Sequence, residues 1–135
     1  EVDSVLCKGC GACVAACPSG AMQQAGFKDF TARLASHGFK IAIDDFGVGH
    51  GELRLLHDLP IDYLKIDGSV ILNILTDDVN LGKVTAIHRI AKVIGIATIA
   101  EMVEDGATVQ KLKEIDVEYG QGFEIARPTP LSELN

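Results

Sequence analysis

Phe39-Lys40-Ile41-Ala42-Ile43-Asp44-Asp45-Phe46-Gly47-Val48-Gly49 is the stretch on which the fold turns. A short apolar run closed by two aspartates and a glycine-containing turn reads as a strand over 39–44 followed by a loop. The continuous run Ile41-Ala42-Ile43 fits a strand buried on both faces, as in parallel sheets. Upstream, Phe30, Leu34 and Ala35 have helical spacing, and His37-Gly38 ends that helix. Downstream, Glu52 to Leu59 reads as a helix stopped by Pro60, Ile61 to Ile66 as a second strand, and Ser69 to Leu75 as a short helix. Asn80 to Ile94 reads as a long helix with Leu81, Val84, Ile87, Ala91 and Ile94 on one face. Ile96 to Ala100 is a third strand, and Asp105 to Ile115 a helix with Asp105 as N-cap. Tyr119 to Phe123 is a fourth, short strand.

Strands alternating with helices imply an α/β fold with parallel strands. Their carboxyl ends carry polar groups: Asp44-Asp45, Lys65 and Asp67, Glu101, and Gln121. In β-α folds those ends form the active face. Any one of these aspartates could equally be a helix N-cap or a turn former. Four strand ends behaving alike favour a common site.

The bulk numbers narrow the function. Twelve Lys and Arg against 19 Asp and Glu give the 135-residue chain a net charge of −7. An acidic chain is a poor partner for nucleic-acid polymers, which need a basic face. Clustered acidic groups suit divalent cations instead. No stretch reads as a signal peptide or a membrane span, which points to the cytoplasm.

The motifs carry a resemblance. Asp44-Asp45-Phe46-Gly47-Val48-Gly49 resembles the D-D-F-G-x-G motif of EAL domains. Leu59-Pro60-Ile61-Asp62-Tyr63-Leu64-Lys65-Ile66-Asp67 resembles their L-P-x-D-x-L-K-I-D strand. Ile99-Ala100-Glu101-Met102-Val103-Glu104 resembles A-E-G-V-E, with Met102 in place of the usual small residue. Tyr119-Gly120-Gln121-Gly122-Phe123 and Arg127-Pro128 resemble the closing G-Q-G-Y…P. The resemblance implies a modified β/α barrel that hydrolyses cyclic di-GMP with two Mg²⁺ or Mn²⁺ ions. It implies Asp44 and Asp45 as metal ligands, Lys65 as the group that orients water and steadies charge, and Glu101 as general base. Gln121 and Glu104 would complete the substrate-binding floor and support the loop after Asp45. A complete barrel has eight strands; this chain supplies four, without the E-A-L strand. The expectation is therefore a partial, half barrel over residues 27–135 with little or no activity alone. Its open edges imply a homo-oligomer.

Residues 1–26 are different. Cys7-x2-Cys10-x2-Cys13-x3-Cys17-Pro18 is the bacterial ferredoxin run, whose thiolates wrap a [4Fe-4S] cluster. Clustered cysteines point to metal rather than a disulfide framework. The surroundings resemble the second ferredoxin motif of the heterodisulfide reductase iron–sulfur flavoprotein subunit. Three readings stay open: a degenerate phosphodiesterase-type domain, an electron-transfer module, and a recombined or engineered chimera without activity.

Overall fold

The structure, a computed structural model, describes residues 27–48 and 53–133. Cys7, Cys10, Cys13 and Cys17 lie outside the described residues, as does the expected helix start at Glu52. The chain divides into two compact units, Glu1–Phe39 and Lys40–Asn135.

Helix α1 (Phe27–Ser36) belongs to the first unit. It ends where the sequence implies. Gly38 takes the left-handed conformation (φ 83°), and the amides of Gly38 and Phe39 bond back to the carbonyls of Ala35 and Leu34. These bonds satisfy acceptors that a helix end otherwise leaves open.

The second unit holds the sheet. Its order is β1 (Ala42–Phe46), α2 (Leu53–Asp58), β2 (Tyr63–Ile66), α3 (Gly68–Ile71), α4 (Asp78–Ile94), β3 (Ala97–Ala100), α5 (Gly106–Glu114) and β4 (Tyr119–Gly120), then a 3-10 turn at Leu131–Glu133. All neighbouring strands are parallel, in the spatial order β1-β2-β3-β4. Parallel neighbours require crossovers, and the helices between the strands provide them.

Capping decides where the two longer helices of this unit begin. Asp77 accepts hydrogen bonds from the amides of Val79 (2.8 Å) and Asn80 (3.3 Å) at the start of α4. Asp105 accepts from Thr108 N (2.8 Å) at the start of α5, as the sequence implies. Each bond satisfies an orphan amide of a first turn.

The core lies on the helix-covered side of the sheet. Ile66, Val70, Ile71, Ile74, Val84, Ala100, Val103 and Leu112 form one buried cluster. Phe46, Leu56, Leu64, Ala91 and Ile96 form another, and Ile87 packs against both. Two differences from the sequence reading follow from this packing. First, Ile94 is 47% exposed, whereas His88 is 3% exposed and takes its place on the inner stripe. The stripe runs Val84, His88, Ala91. Its next turn falls on Gly95, the C-cap, so Ile94 rotates outward. Second, the sheet is not buried on both faces. Leu64, Ile66, Thr98 and Ala100 are buried, while Tyr63, Lys65, Ala97 and Ile99 between them are only half-buried and Ala42 is exposed. The helices of this unit cover one face.

The strands are also shorter than the apolar runs. Residues 39–41 precede β1, and β4 stops at Gly120. The Ile41 amide donates to the Asp62 carboxylate (2.9 Å), and Lys40 Nζ donates to the same side chain (2.7 Å). The Ile41 carbonyl accepts from the amides of Asp62 (2.9 Å) and Tyr63 (3.0 Å), so side-chain bonds add to backbone bonds at this end of the sheet.

Candidate functional site

The sheet register explains how two consecutive aspartates reach one place. Ile43 pairs with Leu64, and Phe46 pairs with Ile66. From 43 to 46 is three steps, from 64 to 66 only two, so β1 carries one extra residue. Asp44 and Asp45 together stand opposite Lys65. In a regular strand, neighbours point to opposite faces. A bulge breaks that alternation and re-aims a side chain. Asp45 has φ 54°, the left-handed region that aspartate and asparagine tolerate best among residues with a side chain. Both aspartates are exposed at the carboxyl end of β1.

Glu101 follows β3 directly and meets them. Carboxylate oxygens of Asp44, Asp45 and Glu101 all lie within 4.8 Å of one another. Lys65 projects from β2 into this group. Its Nζ is 2.6 Å from Asp44 Oδ1 and 2.5 Å from Glu101 Oε1. The ammonium hydrogen-bonded to Asp44 holds that carboxyl below the ordinary aspartate range, against the opposing effect of burial. The same contacts, with Asp44 first and Glu101 second, push Lys65 above the ordinary lysine value. Charge-assisted bonds of this kind are the strong ones.

A cleft of about 380 Å³ opens beside the cluster. Asp45, Asp67, Glu101, Glu104 and Gln121 supply its polar lining, and Gly68, Met102, Gly122 and Phe123 the rest. Gln121 continues the rim past β4: its amide donates to Ala100 O (2.8 Å), and its carbonyl accepts from Val103 N (3.0 Å). Gly122 then passes so close to Val103 that a Cβ there would overlap the Val103 backbone. Only glycine allows that approach, and it is what brings the loops after β3 and β4 together.

The structure therefore brings Asp44, Asp45, Lys65, Glu101, Glu104 and Gln121 to one end of the sheet. Asp67 has a dual character. Its Oδ1 caps α3, accepting from Ser69 N (2.8 Å) and from Ser69 Oγ, while the residue also lines the cleft. Two features escape pattern reading: the bulge at Asp44-Asp45, and the left-handed conformation (φ 51°) that Met102 adopts in the cleft wall.

Carboxylates suit hard divalent cations. The donor set of Asp44, Asp45 and Glu101 fits one such ion, with three of the six or more oxygens that Mg²⁺ or Ca²⁺ takes. Residues 17–128 match the EAL domain family.

The chain belongs to the EAL domain family.

Among curated EAL relatives, the cyclic di-GMP phosphodiesterase PdeB of Shewanella oneidensis is 39% identical over 100 residues. The match covers 74% of this chain and 12% of that protein. The cyclic di-GMP phosphodiesterase PdeA of Borreliella burgdorferi is 42% identical over 98 residues, covering 73% of this chain and 15% of that one. The chain thus spans less than a fifth of either relative. The crystal structure of the EAL domain of Mycobacterium smegmatis DcpA superposes with a TM-score of 0.77 at 32% identity, over 86% of this chain and 52% of that domain. A standalone EAL protein of Vibrio cholerae in its c-di-GMP-bound form gives 0.70 at 35%, over 76% and 44%. The four-stranded unit is accordingly part of an EAL-type β/α barrel fold. Residues 1–23 match the 4Fe-4S binding domain family.

Proposed function

We propose that residues 27–135 form a partial EAL half barrel whose cleft binds cyclic di-GMP, with low turnover on its own. The carrying observation is the cluster at the bulge: three carboxylates within 4.8 Å, bridged in part by Lys65. Asp44 and Asp45 would hold Mg²⁺ or Mn²⁺, which when bound polarises a phosphodiester and lowers the pKa of water. Glu101, paired with Lys65 at 2.5 Å, would take a proton from an attacking water. Lys65 steadies the developing negative charge, and Gln121 and Glu104 line the ligand's path. Low turnover follows from the donor count. Two-metal chemistry needs more anionic donors than the described residues bring to this cluster.

The match of residues 1–23 supports a second role for the chain, an iron–sulfur segment over 1–26. Cys7, Cys10, Cys13 and Cys17 would bind a [4Fe-4S] cluster and pass electrons, in the manner of the heterodisulfide reductase motif they resemble. We place the chain in the cytoplasm, where thiolates stay reduced. Among the described residues, no helix is long and apolar enough to cross a membrane. We also propose a homo-oligomer, formed where the sheet face lacks cover.

One preparation tests both roles. Chain purified without oxygen is assayed for iron and for cyclic di-GMP binding and hydrolysis in Mn²⁺. Binding lost in Asp44→Asn supports the EAL reading. About four irons per chain supports the cluster. Folding with neither cofactor leaves an inert chimera and removes both proposals.

A further inference from the structure

Met102 stands out in the cleft because its backbone and its side chain are both unusual. Its φ of 51° lies in the left-handed region, where glycine is at ease and a long side chain is strained. The loop gives it no freedom to relax. On one side, the Glu101 amide is bonded to Ile66 O (3.1 Å). On the other, the Val103 amide is bonded to Gln121 O (3.0 Å), and the Val103 side chain is fully buried. Strain that persists under such clamping, beside a cluster of site residues, points to a role for the side chain.

The side chain lies across Gly68. A Cβ built on Gly68 would overlap Cγ and Sδ of Met102 and come within 2.8 Å of its Cβ. The thioether therefore occupies the space in which a side chain at 68 would stand. Met102 remains 47% exposed and borders the cleft together with Asp45 and Glu101. An apolar, adaptable group stands in the wall between Gly68 and the carboxylates of Asp45 and Glu101.

We propose that Met102 is a specificity-determining residue of this cleft: its thioether, seated on Gly68, narrows the wall beside Glu101 and disfavours a cyclic dinucleotide, whose closed ring cannot re-fold around it, relative to the linear one, whose open backbone can. The inference rests on the cyclic-di-GMP reading of the cleft. It adds a selectivity that the carboxylate cluster alone does not supply.

The test uses the full chain and two probes, cyclic di-GMP and the linear guanosine dinucleotide, titrated calorimetrically in Mg²⁺. Met102→Gly removes the obstruction and the strain together. It is expected to tighten cyclic di-GMP binding by about tenfold, while the linear affinity moves by less than about threefold. Met102→Leu, which keeps the volume, behaves as the unaltered chain. Thermal melts test the seat without any ligand. Gly68→Ala lowers the melting temperature with methionine at 102 and is tolerated with glycine at 102. An unchanged cyclic-to-linear ratio in a chain that does bind overturns this inference alone, as does an equal cost of Gly68→Ala in both backgrounds. Absence of binding to either dinucleotide by every variant removes the cyclic-di-GMP reading and the selectivity with it.

Discussion

Lys65 holds Asp44 and Glu101 with one ammonium, and the two titrations this links have opposite signs. Asp44 is depressed by its hydrogen bond to Lys65, so its share of stability is present above the ordinary aspartate value of about 3.9 and is lost as pH falls through the lower folded value. Lys65 is raised, chiefly by Asp44, so its share is present below about 10.4 and is lost as pH rises through the higher folded value. Lys65→Met should remove both dependences. Asp44 should then titrate higher by NMR, and melting temperature should vary less with pH at both extremes. Because Asp44 is 64% exposed, solvent screens the pair and the effect on stability near neutrality is modest. The buried polar group on the other side of β3 behaves differently. Thr98 Oγ donates to Glu118 Oε2 (2.6 Å), which leaves His88 Nδ1 (2.9 Å away) to donate to the same hydroxyl. Burial pushes the Glu118 carboxyl up, yet the hydroxyl and amide of Thr98 bring it below the ordinary glutamate value. Thr98→Val keeps the shape and removes the hydroxyl that His88 donates to, leaving the Glu118 carboxylate 3.6 Å away, beyond a good hydrogen bond. Urea melts should show a loss of about 1–3 kcal/mol, the cost of orphaning a buried donor.

At the scale of elements, the bulge in β1 is the device that matters, and it separates fold from chemistry. Asn tolerates the left-handed conformation about as well as Asp, whereas a β-branched residue does not. Asp45→Asn should therefore keep the melting temperature and weaken Mn²⁺ binding, as read by paramagnetic relaxation. Asp45→Val should also lose about 1–2 kcal/mol of stability. Equal stability in the two variants would show that the bulge does not need residue 45 left-handed. Caps are simpler: Asp105→Ala removes the bond to Thr108 N and should cost about 1 kcal/mol. The element order was legible because each strand is a short apolar run closed by polar or turn residues, and Asp105 marks the start of α5; the Asp77 cap that starts α4 at Asp78 was missed. The cluster was legible in its members, since Asp44, Asp45, Glu101 and Gln121 all follow or end apolar runs. The bulge was not, because register is a relation between two strands and no single run contains it. His88 was missed for a related reason. Hydrophobic periodicity skips a histidine, and the Thr98 hydroxyl on β3, with the Glu118 carboxylate behind it, is what lets it be buried. Met102 was visible as a departure from the motif, but its seat on Gly68 depends on two loops meeting.

At the scale of the molecule, the sheet ends on both sides without a further strand among the described residues, since β1 and β4 are its outer members. The face opposite this unit's own helices presents Tyr63 and Tyr119, whose rings meet edge-on at 6.0 Å, together with Ile99 and Ala42. Tyr119 is 53% exposed. Unpaired edges and aromatic groups on a bare face promote association. The acidic rim opposes it, because a second copy brings the same charge to the same end of the sheet. The balance should depend on what neutralises that rim. Divalent cations bound at Asp44, Asp45 and Glu101 remove the repulsion and also stabilise the fold by mass action, by about 2.7 kcal/mol at a concentration a hundredfold above Kd. Sedimentation of the full chain should therefore show a dimer or larger species that grows with Mn²⁺ and retreats with chelator. Tyr119→Lys, which places a charge on the bare face, should shift the same chain toward monomer at every cation concentration. A monodisperse monomer at high concentration, with and without Mn²⁺, would mean that water is a sufficient cover for this sheet.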